Sequence, residues 1–157
     1  MSTHPFRAGW ETRDLDAFAD SLAPDVVLHS PILSAPITGH EAAVELYGVL
    51  FERFGEVEIT DHLSSGDTHA FFWRAEAGGR PIEGVDLIRH DAAGRIAEAR
   101  VAIRPLVGLA YFAAAAGPTL ARRRGRLNHL LVTLLAAPLR LIFAAIDRLS
   151  ARLILRR

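Results

Sequence analysis

At Gly55 the spacing of apolar residues changes from three-and-four to two, and it does not change back before Arg104. Upstream, Val44, Tyr47, Leu50, Phe51 and Phe54 recur at helical intervals, predicting a helix from Gly39-His40-Glu41 to about Phe54. Downstream, Val57, Ile59 and His62 lead one strand, and 68–77, 82–90 and 95–104 predict three more. Between them stand Ser64-Ser65-Gly66-Asp67, Gly78-Gly79 and Asp91-Ala92-Ala93-Gly94, all hairpin chemistry. Strands joined by such short turns can only pair antiparallel. An all-helical fold is excluded.

Two further elements precede this block. Leu15, Phe18 and Leu22 fall on one helical face with acids opposite, predicting a helix over 6–22 that Pro24 stops. Residues 25–30 (Asp25-Val26-Val27-Leu28-His29-Ser30) then read as a strand ended by Pro31. Helices kept apart from a curved antiparallel sheet make an α+β layer architecture. The chain has 157 residues, 50% apolar and 23% charged, which excludes disorder and fits one folded body. It has no cysteine, so disulfides, thiolate catalysis and zinc–sulfur sites are excluded. Met1-Ser2-Thr3-His4-Pro5-Phe6-Arg7 carries no apolar run, so no signal peptide and a cytoplasmic address are expected.

The formal net charge of zero hides a division of the chain. Residues 1–117 hold nine arginines against seventeen acids, a net of −8; residues 118–157 hold nine arginines against Asp147 alone, a net of +8. The expected organisation is therefore an acidic domain over 1–117 and a basic amphipathic helical tail over 118–157. Residues 106–116 read as a helix closing the domain. In the tail, Arg122, Arg123, Arg124 and Arg126 precede 130–146, whose only polar members are Thr133 and Arg140. Arg126, Thr133, Arg140 and Asp147 recur every seven residues as one narrow polar stripe, and Arg148, Arg152, Arg156 and Arg157 follow. Arg140 beside Pro138 counts against a membrane span. An interfacial helix, or a pair broken at Pro138, at the inner membrane face fits better; the competing reading packs the tail on its own body or a second subunit. Leucines crowd this tail and no aromatic stacking pattern accompanies it, so no nucleic acid partner is expected. Arginine and alanine without lysine suggest a GC-rich bacterial genome.

Asp14-Leu15-Asp16-Ala17-Phe18, the strand ending Ser30-Pro31, Gly39-His40-Glu41 and the hairpin from Val85-Asp86-Leu87-Ile88 to Gly94-Arg95-Ile96 together resemble the NTF2-like superfamily. The similarity covers about residues 6–106 and is nearest to the SnoaL-like branch, relatives of ketosteroid isomerase. It implies a cone-shaped half-barrel, a bent sheet wrapped on helices around one apolar pocket, with the helical C-terminal extension added. It also implies a homodimer through the outer sheet face, where Phe72 would sit, while Arg89, Arg100 and Arg104 point outward.

Strand alternation puts Ile82, Gly84, Asp86 and Ile88 on one face. If that face lines the cone, the Asp86 carboxyl is buried and its pKa rises. A neutral carboxyl can donate a hydrogen bond to a developing oxyanion, as a protonated aspartate does in ketosteroid isomerases, and Asp86 matches that position. The competing reading pairs Asp86 with a neighbouring arginine or backbone group. By the same matching the isomerase base falls on Ser30 and a first-helix tyrosine on Phe6, while Tyr47 matches a supporting tyrosine. The cyclase base falls on Val101, and the arginine–aspartate arrangement of limonene epoxide hydrolases is missing. Trp10, Leu28, Ser30, Tyr47, Phe71, Trp73, Ile88 and Val101, with Ile103, are the expected ligand-binding lining. No histidine pair has metal-ligand spacing, so neither metal nor cofactor is expected. Two functions remain. One is a pocket protein that binds a lipophilic, polyketide- or steroid-like ligand or converts it by proton transfer through Asp86. The other is a non-catalytic dimeric module held at a membrane or partner by its tail.

Overall fold

The computed structural model describes residues 4–123 and 125–154. Arg124, Arg156 and Arg157 of the basic tail lie outside them. In chain order the elements are α1 (Pro5–Thr12), α2 (Leu15–Asp20), β1 (Leu22–His29), β2 (Ile37–Thr38), α3 (His40–Arg53), β3 (Glu58–Ser65), β4 (Thr68–Ala77), β5 (Arg80–His90), β6 (Ile96–Arg104), α4 (Leu106–Arg123) and α5 (Arg126–Ile154). The six strands form one curved, unclosed sheet in the order β2-β1-β6-β5-β4-β3. The meander β3 to β6 is antiparallel, as its turns require. The expected α+β half-barrel is the observed architecture.

The first helix departs from expectation. One helix over 6–22 is in fact two, broken at Arg13, whose φ of 54° is left-handed. Asp14 restarts the helix by accepting a hydrogen bond from the Ala17 N–H at 3.0 Å. The break lets α2 fold back on α1, with the Phe18 ring lying on Gly9 so closely that a Cβ there would stand 2.4 Å from it. The Arg13 guanidinium donates to the carbonyls of Phe51 (3.2 Å) and Gly55, tying this corner to the C-terminal end of α3.

β1 also differs: it begins at Leu22 and runs through Pro24. The β1–β6 pairing is parallel and shifts register between Leu22 and Val27. Pro24 falls in that irregularity, where no ladder N–H is required. Two residues after the proline-rich stretch, Ile37 and Thr38, add β2 to the edge of β1, an element the sequence reading lacked. Gly39 then takes φ of 93° at the start of α3, a backbone only glycine adopts freely, and donates its N–H to Val26 O at 2.8 Å.

α4 lies across the open end of the half-barrel, with Gly108 against Ile82. It continues through Gly117-Pro118 to Arg123, longer than the expected helix over 106–116, and Gly125 (φ 122°) precedes the next helix. α5 turns back along α4 as a helical hairpin. His129 Nδ1 lies 2.9 Å from the Pro118 carbonyl oxygen, Val132 meets Gly117, and Ala136 and Ala144 are buried. α5 is not divided at Pro138, because these contacts hold it on both sides of the proline. Ala136 and Ala144 face inward and the leucines outward: Leu127, Leu135 and Leu141 are about 70% exposed. By length and composition Arg126–Ser150, of mean hydropathy 2.0, is the one helix among the described residues that could cross a membrane.

Candidate functional site

The site is built where β4 and β5 run side by side. Their register sets Trp73 opposite Gly84 and Phe71 opposite Asp86. Alternation points Ile82, Asp86 and Ile88 inward, all under 5% exposed. Gly84 shares that face and leaves it bare, so the Trp73 indole lies flat on β5; a Cβ at Gly84 would stand 2.2 Å from Trp73 Cζ2. The indole Nε1–H thereby reaches along the strand and donates to Asp86 Oδ2 in a short hydrogen bond. The arginine partner that the sequence left open for Asp86 is not there. The carboxyl is held by an indole.

Burial pushes the Asp86 carboxyl up to about 7, against the Trp73 hydrogen bond, which favours the ionised form. Burial also drives the Tyr47 phenol well above its ordinary value, and the Asp86 charge adds to that. With Oδ2 engaged as an acceptor, the protonated carboxyl is left with Oδ1 to present its O–H.

Asp86 and Trp73 line a cavity of about 60 Å³ together with Trp10, Leu28, Ser30, Tyr47, Val101 and Ile103. Phe71 and Ile88, expected in this lining, are not part of it. Both are fully buried beyond its end, where Phe6 from α1 fills the cone against Phe71 at 5.1 Å between ring centroids. Besides Pro31, Val57 and Ala99, the wall also holds Leu46 and Leu50 of α3, Phe54 just after it and Phe112 of α4. Their sequence signal was present: α3 periodicity, and a lone aromatic pair, Tyr111-Phe112, beside four alanines. Ser30 reaches the cavity, but its Oγ already accepts from the N–H groups of Ile32 (3.2 Å) and Leu33 (3.4 Å), holding the turn after β1.

Among the described residues Asp86 is the only carboxylate in the lining. His29, the only histidine there, is turned to the outer face, with Nε2 3.1 Å from Glu98. Glu98 also takes Arg89 and Arg100, which hold its carboxyl below the usual range, and Arg104 pairs with Glu83. These outward arginines therefore occupy the expected side of the sheet. The cavity can hold one small, mainly apolar group and offer a hydrogen bond to an acceptor atom on it. Among the described residues of the lining, no second carboxylate stands opposite the Asp86 proton.

A family model for the SnoaL-like domain matches residues 4–99. A steroid delta-isomerase from Pseudomonas aeruginosa is similar at 28% identity, over 76% of this chain and 88% of that one, with a TM-score of 0.71. A bacterial protein with a cystatin-like fold from Silicibacter pomeroyi is similar at 22% identity, over 77% and 86%, with a TM-score of 0.68. A candidate polyketide cyclase from Sinorhizobium meliloti shares the fold at 19% identity, over 62% and 90%, with a TM-score of 0.54. No curated protein matches the chain significantly.

The raised Asp86 pKa has a sign in stability. Unfolded, the carboxyl loses its proton near pH 4; folded, it keeps it to about pH 7. The folded state therefore binds the extra proton in that window, and stability falls as pH rises through it. Asp86→Asn keeps an acceptor for Trp73 and cannot ionise. Urea unfolding of this variant at pH 8 should show a gain on the order of 2–4 kcal/mol over the parent, shrinking to near zero at pH 4. Parallel curves would mean that the carboxyl is not buried uncharged.

Proposed function

Because the chain belongs to the SnoaL-like domain family, we propose that its cavity binds a small lipophilic ligand and fixes one ligand oxygen with the Asp86 carboxyl. The observation that carries this reading is a buried carboxyl, aimed by Trp73, in a wall that is otherwise almost wholly apolar. Likeness to a steroid delta-isomerase supports a ligand of flat, ring-containing shape. The open volume of about 60 Å³ is below the roughly 150 Å³ that lets an apolar cavity hold benzene, so a multi-ring ligand enters only as the wall gives way. The base positions of the related isomerases and cyclases fall on Ser30 and Val101, which supports binding and polarisation of a carbonyl over a complete proton-transfer cycle. Native mass spectrometry of protein from its own host should find a retained lipophilic molecule. Asp86→Ala should reduce its occupancy at least tenfold. An empty cavity in repeated preparations, or an unchanged occupancy in the variant, overturns the reading.

The outer sheet face supports a homodimer. Phe72, 40% exposed, sits there in a groove with Thr60, Val85 and Ala102. Sedimentation should give a dimer for the parent and a monomer for Phe72→Glu; a parent that sediments as a monomer removes this interface.

A second reading concerns α5, and the exposed leucine face favours it. The arginines stand near both ends of that face, and each contributes about 1 kcal/mol near anionic headgroups. Arg140 leaves the leucines uninterrupted because its guanidinium turns to the Tyr111 ring, 5.9 Å away. We read α5 as lying in the surface of an anionic membrane, with the body peripheral to it. The full chain should sediment with phosphatidylglycerol vesicles, and Leu134→Glu with Leu141→Glu should leave it in solution. Sedimentation of both, or of neither, contradicts the attachment.

A further inference from the structure

At the end of the sheet away from Trp73, four histidines from four elements meet. His4 precedes α1, His62 lies on β3, His69 near the start of β4, and His90 ends β5. The His90 N–H donates to Asp67 O at 3.0 Å, which brings the end of β5 against the β3–β4 turn. The ring of His4 lies 4.5 Å from that of His69 and 4.8 Å from that of His90, centroid to centroid. One ring nitrogen from each of these three lies within 4.8 Å of the other two. Nε2 of His4 and Nε2 of His90 are both buried and have no hydrogen-bond partner. Buried polar atoms in a folded protein are normally satisfied, and here two of them stand in the same small space.

We propose that His4, His69 and His90 bind one divalent transition-metal ion of the zinc class. Three neutral imidazoles suit zinc, copper or nickel, and the missing carboxylates exclude a magnesium or calcium site. Nitrogens at about 2.0–2.1 Å from a tetrahedral ion stand roughly 3.4 Å apart, so the rings close by about an ångström through side-chain rotation. The fourth position stays open. His62 is a positioning residue: its Nε2 lies 3.0 Å from His69 Nδ1, which orients that ring and leaves His69 Nε2 for the ion. His4 carries a cost that also serves as a reporter. Its Nδ1 accepts from the Phe6 N–H at 3.2 Å, which places its proton on Nε2. Metal at Nε2 moves that proton to Nδ1 and gives up the bond to Phe6, so the ion is coupled to the start of α1. This site is separate from the Asp86 cavity and does not depend on the function proposed for it.

The test uses the full chain without an affinity tag, stripped with chelator and titrated with Zn²⁺ by calorimetry and with Co²⁺ by visible absorption. One ion per chain should bind, tetrahedral cobalt bands should appear, and the Phe6 amide resonance should shift. His69→Gln and His90→Gln should each weaken Zn²⁺ binding by more than about tenfold, His62→Gln by less, and His29→Gln not at all. Absence of stoichiometric Zn²⁺ uptake by the parent overturns the site, whether or not the variants fold. So does uptake that survives His69→Gln with His90→Gln, because the ion is then held elsewhere.

Discussion

The hydrogen bond from Trp73 to Asp86 is the contact on which the rest of the cone rests. Without it a carboxyl stands among apolar groups with nothing to hold it, and without Gly84 the indole cannot lie down to make it. The indole in turn meets Phe54 edge-on at 6.0 Å, and Phe54 meets Phe112 at 5.0 Å. One line of contacts thus runs from β5 through β4 and the residue that follows α3 to the closing helix α4. The polar group and the apolar wall are one construction, since the residue that aims Asp86 also fixes the ring against which the helices settle.

Beyond the cone, the C-terminal hairpin solves two packing problems with two kinds of residue. Alanines and glycine let α5 approach α4 closely, and His129 takes up a carbonyl near the proline that interrupts the α4 ladder. The leucines are then left exposed on the far side. An apolar helix that needed its own body would bury its largest side chains first. This one buries its smallest, and the larger surface remains for something else.

Much of this was legible in the residues, and the reasons are local. The four meander strands follow from alternation and turn chemistry, both of which act within a few residues. α3 was legible because glycine opens it and an apolar stripe runs its length. What the sequence concealed depended on contacts distant along the chain. Arg13 is no helix breaker by composition; its left-handed backbone is held by carbonyls of α3 and the residue beyond it. Pro24 reads as a stop until β6 pairs beside it with a skipped register. Phe71 and Ile88 sit on the lining face, yet Phe6 arrives from α1 and closes the cone before them. Asp86 was recognisable as buried, but nothing near it in sequence named Trp73. The histidine cluster is the extreme case, since His4, His69 and His90 share no spacing that an alignment of ligands would notice.

The parallel pairing of β1 with β6 has a consequence for the order in which the molecule can form. Leu22 waits for Ile96, and until then β1 has only the two residues of β2 beside it. During synthesis the first two helices and β1 therefore emerge as an unfinished edge, exposing Val26 and Leu28 while the meander is still being made. Long-range closure of this kind is slow compared with hairpin formation. α5 follows the whole sheet in the chain, so its exposed leucines come after β1 has its partner and add nothing to the closure of the sheet.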